Sequence, residues 1–147
     1  MGNISIVYGN IIGATWKTDD YHKLQRLNNK ILTELPDADA YPWIHRHMFH
    51  TQDPHNIQGT YRDQVITFGA SYKFVEYEWE EWLQKFEAIL KTLYWTRATI
   101  HLETEFMGRF TYEWVIDFHQ SDNWFLENPL PIQKWEFTGG PRKFFQE

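Results

Sequence analysis

The chain is 147 residues long and 17.9 kDa, the size of one domain with one sizeable core. With 42% hydrophobic and 23% charged residues it is neither a disordered tail nor a membrane-embedded protein. Its formal charge of −6, from 14 basic and 20 acidic side chains, argues against binding a phosphate backbone, and its lack of cysteine excludes disulfides, zinc–thiolate sites and thiol nucleophiles.

Residues 4–16 alternate. Ile4, Ile6, Tyr8, Ile12, Ala14 and Trp16 share one parity, and Ser5, Gly9, Gly13 and Thr15 the other. Period two predicts a half-buried strand in which Gly9 and Gly13 allow a bend or bulge. Thr18 supplies an N-cap hydroxyl, followed by Asp19 and Asp20. Tyr21, Leu24, Leu27, Ile31 and Leu35 then form a helical stripe ended by Pro36. Residues 37–42 read as a loop and Trp43 to His50 as a strand. A second loop runs from Thr51 to Gly59, and residues 61–74 are strand-like, with Val65, Ile66, Phe68 and Tyr72.

The second helix carries an apolar face of Trp79, Trp82, Leu83, Phe86, Ile89, Leu90 and Leu93. Glu76, Glu78, Glu80 and Glu81 crowd its start, as the helix dipole favours. A hairpin follows. Ala98, Ile100, Leu102, Thr104 and Phe106 share a parity, as do Phe110, Tyr112, Trp114, Ile116 and Phe118. Directly opposed residues share a face, so a two-residue loop fails. A three-residue loop, Met107-Gly108-Arg109, pairs Leu102 with Trp114, Ile100 with Ile116 and Ala98 with Phe118. Trp135–Phe137 is a last, short strand broken by Gly139-Gly140-Pro141.

The order β-α-β-β-α-β-β predicts an α+β fold on a ferredoxin-like, split βαβ plan in one domain over 1–147. It implies an antiparallel sheet with two helices on one face and a C-terminal hairpin extending it. The other face is then exposed or covered by a partner.

This hairpin register places Glu103 across from Glu113 on the face that also holds Thr99, His101, Glu105, Thr111 and Asp117. Opposed like charges are destabilising. They need a basic side chain from this chain, exposure to water, or a cationic partner; as close carboxylates they also suit acid–base hydrolysis. His45, His47, His50 and His55 cluster in the sequence, and on a strand His45 and His47 share a side, so His45, His47 and His50 are the candidate metal ligands. Aromatics make up 18% of the chain, with 8 Trp, 8 Tyr and 11 Phe. Most fit the apolar parities. Tyr61, Tyr72, Tyr77, Trp95 and Trp124 do not, and such rings suit a protein interface.

No G-x-S-x-G, P-loop, G-x-G-x-x-G or H-E-x-x-H motif is present. Ser121-Asp122 near His119 is local adjacency and not triad geometry. No cofactor is expected. The start Met1-Gly2-Asn3-Ile4-Ser5-Ile6 has no basic region leading into a long apolar run, and Ile6 stands where a myristoylation signal has Ser or Thr. No stretch reaches the ~18 apolar residues of a membrane span. A cytoplasmic location is therefore expected.

In general make-up the runs Thr104-Glu105-Phe106-Met107-Gly108-Arg109-Phe110-Thr111-Tyr112-Glu113-Trp114 and Gly59-Thr60-Tyr61-Arg62-Asp63-Gln64 give the chain a character that resembles the small acidic immunity proteins of bacterial polymorphic and contact-delivered toxin systems. That resemblance implies tight binding to a toxin, often a basic nuclease, by blocking its active surface, with charge complementarity speeding association. The residues expected to meet such a partner are Glu103, Glu105, Glu113, Asp117, His101, Tyr61 and Tyr72. Two alternatives stand beside it: a metal-assisted or carboxylate hydrolase, and a homodimeric small-ligand-binding module.

Overall fold

The computed structural model describes residues 4–13, 21–36, 40–51, 64–116, 131 and 133–145. The expectations placed on Ala14 to Asp20, His55, 59–63 (Tyr61 included), Asp117, Phe118, His119, Ser121, Asp122 and Trp124 lie outside the described residues.

The fold is α+β: a six-stranded antiparallel sheet and two α-helices. The strands are β1 (Ile4–Gly13), β2 (Phe49–His50), β3 (Val65–Lys73), β4 (Trp95–Glu103), β5 (Arg109–Ile116) and β6 (Trp135–Gly139). The helices are α1 (Tyr21–Thr33), between β1 and β2, and α2 (Trp79–Leu90), between β3 and β4. The spatial order is β2-β3-β1-β4-β5-β6. Because β1 and β2 both run antiparallel to β3, they run parallel to one another with β3 between them. By the same reasoning β3 and β4 are parallel with β1 between.

Helix α2 forms where its apolar spacing predicts. Trp79, Trp82, Leu83, Phe86 and Leu90 are buried, while Glu80 and Glu81 occupy its first turn. Its rings make a ladder: Trp79 stacks on Trp82 at 5.0 Å, Trp82 on Phe86 at 5.4 Å, and Phe86 meets Phe68 and Trp114 at 5.3 and 5.2 Å. Fully burying one large apolar side chain is worth about 1.5–3 kcal/mol, so much of the aromatic surplus acts here as core. Trp95, expected outside the core, is also buried, and its indole donates to the Leu90 carbonyl at 2.8 Å.

Helix α1 docks differently from its predicted stripe. Leu24, Gln25, Asn28, Asn29 and Leu32 are buried, whereas Leu27 and Ile31 are only partly so. The amides explain the rotation. Asn28 donates to the Tyr94 carbonyl (2.9 Å) and to the Gln64 side chain (3.1 Å), and accepts from the Tyr94 N–H (2.9 Å). Gln64 in turn donates to Asn29 at 2.7 Å. Buried amides require partners, and these partners fix the helix on the sheet.

Strand β1 inverts the expectation most plainly. The face against the helices holds Ser5, Val7, Ile11 and Gly13, and the apolar parity Ile4, Ile6 and Tyr8 is exposed. The neighbouring strands decide this. Val7 lies opposite Ala70 and Leu102, and Ile11 opposite Ile66 and Ala98. Ile66, Phe68, Ala98, Ile100 and Leu102 all face the helices, and β1 follows in register. Ser5 fills its buried place by donating to the buried Glu76 carboxylate and accepting from the Val75 N–H at 3.2 Å.

The strand predicted over Trp43–His50 is mostly not one. Arg46–Met48 is a short 3-10 turn, and only Phe49 and His50 pair with β3. The hairpin register also differs. Ala98 pairs with Trp114, Ile100 with Tyr112, Leu102 with Phe110 and Glu103 with Arg109. The loop is thus residues 104–108. Thr104 organises it: its N–H and hydroxyl donate to the Gly108 carbonyl at 3.0 and 2.9 Å, and its Oγ1 accepts from the Met107 N–H at 2.8 Å. Gly108 has φ +101°, open to glycine and strained for other residues. The slip is four residues, an even number, so every side chain keeps its predicted face.

Among the described residues no helix is long and apolar enough to cross a membrane.

Candidate functional site

With both helices on one side, the sheet's other face carries no helix among the described residues. Cross-strand pairing orders that face into rows. Ser71, Ile6, Glu103 and Arg109 form one, and Gly69, Tyr8, His101 and Thr111 the next. His50, Thr67, Asn10, Thr99, Glu113 and Thr138 follow, then Val65, Ile12, Arg97, Val115 and Glu136.

Ile4 and Ile6 on β1 are 53% and 44% exposed, and Val65 on β3 is 50% exposed, large values for apolar side chains on regular strands. Tyr8 continues the run of Ile4 and Ile6 along β1 and adjoins a polar cluster, whereas Val65 stands two rows away, beside Ile12. Its ring lies 5.1 Å from that of His101. Its hydroxyl bonds to Glu103, which is the leading reason its pKa is raised, followed by burial and by the Glu103 charge, with Arg109 opposing. Glu103 also meets Arg109, Oε1 to Nε, at 3.1 Å. His101 Nδ1 and Thr111 Oγ1 are 3.1 Å apart.

The residues predicted to meet a partner are therefore only partly together. Glu103, His101 and Glu113 share the open face. Glu113 stands across from Thr99 and Thr138, so the opposed carboxylate pair is replaced by the Glu103–Arg109 ion pair. Glu105 is exposed in the loop beyond the end of β4. Tyr72 is a correction: it is 5% exposed and lies in the core under α2. There its hydroxyl donates to the Trp43 carbonyl at 2.5 Å and accepts from the Trp82 indole at 3.0 Å. Its parity in β3 matches Ile66 and Phe68, and that is the buried one.

The candidate metal ligands do not assemble. Among the described residues no three His, Asp or Glu side chains are placed to hold an ion. His45 and His47 have ring centroids 5.9 Å apart, but His45 precedes and His47 lies within a 3-10 turn, and His50 sits on β2 opposite Thr67. The strand geometry behind that expectation is absent.

Sequence reasoning placed Thr111 on this face but not against His101, and it missed Tyr8 and Arg109, because these meetings depend on the β1–β4 pairing and the hairpin slip. It also missed an aromatic cleft at the end of β3, lined by Tyr41, Trp43, Lys73, Phe74, Tyr77 and Glu78. Tyr77 alone carried a signal, as a ring off the helix stripe.

The chain matches no protein-family model, no curated protein and no solved structure.

Proposed function

We propose that this chain is a protein-binding module that neutralises its partner by covering it with the open face of the sheet, in the manner of an immunity-type inhibitor. The observation that carries this reading is the exposed run Ile4, Ile6 and Tyr8 along β1, flanked by Glu103 and Arg109, with exposed Val65 farther along the same face beside Ile12. Apolar residues grouped on a helix-free sheet face, with charges around them, mark an interface. The formal charge of −6 favours a basic partner and a salt-sensitive association rate. The first six elements read as a split βαβ, ferredoxin-like plan, supported by the order β2-β3-β1-β4 and by the two parallel pairs that each enclose one strand. Strands β5 and β6 extend it.

The test is affinity capture from the native cells, followed by measured affinity for whatever partner is found at one-to-one stoichiometry. Ile6→Asp with Tyr8→Ala should weaken binding at least tenfold without unfolding the protein. Charge reversal of Glu103, Glu105 and Glu113 should slow association and reduce its dependence on salt. A partner bound equally well by the Ile6→Asp, Tyr8→Ala protein would refute the open face as the interface. A concentration-dependent dimer abolished by the same two substitutions would show that the face pairs with a second copy of the chain.

A further inference from the structure

We propose that two copies of this chain associate end to end, each placing the tip of its β4–β5 hairpin in the cleft at the end of β3 of the other. The inference does not rest on the open-face reading.

The hairpin tip is an apolar projection. Phe106 is 72% exposed, more than any other large apolar side chain among the described residues, and Met107 beside it is 42% exposed. The loop that carries them is closed by Thr104, whose N–H and hydroxyl donate to the Gly108 carbonyl and whose Oγ1 accepts from the Met107 N–H. Apolar side chains held out in water on an ordered loop lose little freedom when they bind. Charges of both signs flank them, Glu105 before and Arg109 after.

The cleft is the concave counterpart, about 650 Å³ in volume. Tyr41 and Trp43 meet edge to face at 4.9 Å and 89°. Phe145 stacks on the Tyr77 ring at 4.2 Å and 6°, and Phe74 meets that ring edge to face at 5.2 Å. Tyr77 is thereby held in place, yet it remains 58% exposed and Trp43 44%. Lys73 and Glu78 line the same cleft, and the Lys85 ammonium is engaged by the carbonyls of Ala40 and Pro42. Such a mixture selects no ligand of one sign. It suits an apolar projection bordered by both signs, as the hairpin tip is.

Position selects a second copy as the source of that projection. Hairpin and cleft lie at the same end of the sheet, on either side of β1. Ile4 begins β1 there and is 53% exposed. It faces Lys73, the last residue of β3, while on the other side of β1 the chain leaves β4 after Glu103 and enters the loop. Two copies related by a two-fold axis at Ile4, perpendicular to the sheet, meet with the β4 side of each against the β3 side of the other. Each tip then faces the other copy's cleft, Glu105 faces Lys73, and Ile4 meets its counterpart. Every contact forms twice, and the assembly closes as a dimer. Apolar side chains occupy its centre and opposite charges its edge, as in a specific interface.

Sedimentation equilibrium of the whole protein tests this. Between about 5 and 500 µM the weight-average mass should rise from 17.9 kDa towards twice that value, as a small interface implies. Phe106→Asp and Trp43→Ala should each weaken association at least about tenfold. Phe106 stands on an exposed tip, so its variant serves if Trp43→Ala fails to fold. Glu105→Lys and Lys73→Glu should each weaken the dimer about threefold, and the two together should restore it. Ile6→Asp with Tyr8→Ala should leave it unchanged, which separates this contact from the open face. A monomer at every concentration, a dimer indifferent to Phe106→Asp, or a charge exchange that fails to restore association would overturn the proposal.

Discussion

Glu103 lies directly across from Arg109, and their charged groups meet at 3.1 Å. The hairpin thereby solves a problem its sequence poses, since the register with a three-residue loop would set Glu103 against Glu113. Two things choose the longer loop. Thr104 closes it with its own hydrogen bonds, and the shift turns like-charge opposition into attraction.

The pair itself is weak in stability because Arg109 is 84% exposed and Glu103 30% exposed. Arg109→Glu should cost no more than about 1 kcal/mol, and the exchange Glu103→Arg with Arg109→Glu should recover most of it. Urea midpoints at low and high salt check this. Glu113→Gln distinguishes the registers. It should change stability by less than about 0.5 kcal/mol, whereas a carboxylate facing Glu103 would make it clearly stabilising.

Gly9 packs its Cα against the backbone of β4. A Cβ built there comes 2.0 Å from the Thr99 carbonyl oxygen, and backbone in a central strand pair cannot move aside. Gly9→Ala should destabilise the protein by about 3 kcal/mol, at the upper end for overpacking. Gly69→Ala, whose nearest neighbour is at 3.5 Å, should be tolerated. Denaturant unfolding of the two variants side by side tests the contrast.

Ser5→Ala removes the hydroxyl that donates to buried Glu76 and accepts from Val75. Leaving these groups buried and unmatched should cost about 1–3 kcal/mol. A double-mutant cycle with Glu76→Ala should show coupling above about 0.5 kcal/mol. Additive losses would mean that the two side chains act separately.

Burial raises the Tyr112 phenol to about 12, with Trp79 and Arg142 pulling the other way. The neutral phenol is what the fold accommodates, its hydroxyl donating to the Pro141 carbonyl at 2.5 Å. The folded state therefore holds this proton more tightly than the unfolded chain, whose tyrosine titrates near 10. Stability is complete below pH 10 and is lost as pH rises from about 10 to about 12, by roughly 2 kcal/mol for this group. Tyr112→Phe should flatten that part of the pH profile, measured by urea unfolding in steps across the range.

Local pattern carried the elements a long way. The stripe Trp79, Trp82, Leu83, Phe86, Leu90 names the buried face of α2, and parity alone names the buried faces of β4 and β5. Both rest on periodicities that repeat within the element itself. The site was less legible. Glu103, His101 and Glu113 are correctly placed on one exposed face, but Tyr72 is core and the histidines of 45–50 do not converge.

From the amino-acid sequence alone follow the α+β class, the helix and strand order, the aromatic core under α2 and a sheet face that carries no helix, because each depends on hydrophobic spacing or on the count of elements. Tertiary structure alone decided which side of β1 is buried, how far the hairpin slips, how α1 turns to bury its amides and where Tyr41, Trp43, Phe74 and Tyr77 meet. In β1 both parities contain large apolar residues, Ile4 and Ile6 against Val7 and Ile11, so the strand alone does not select a face. Selection comes from the strands on either side, whose packing against the helices is stronger than any preference within β1.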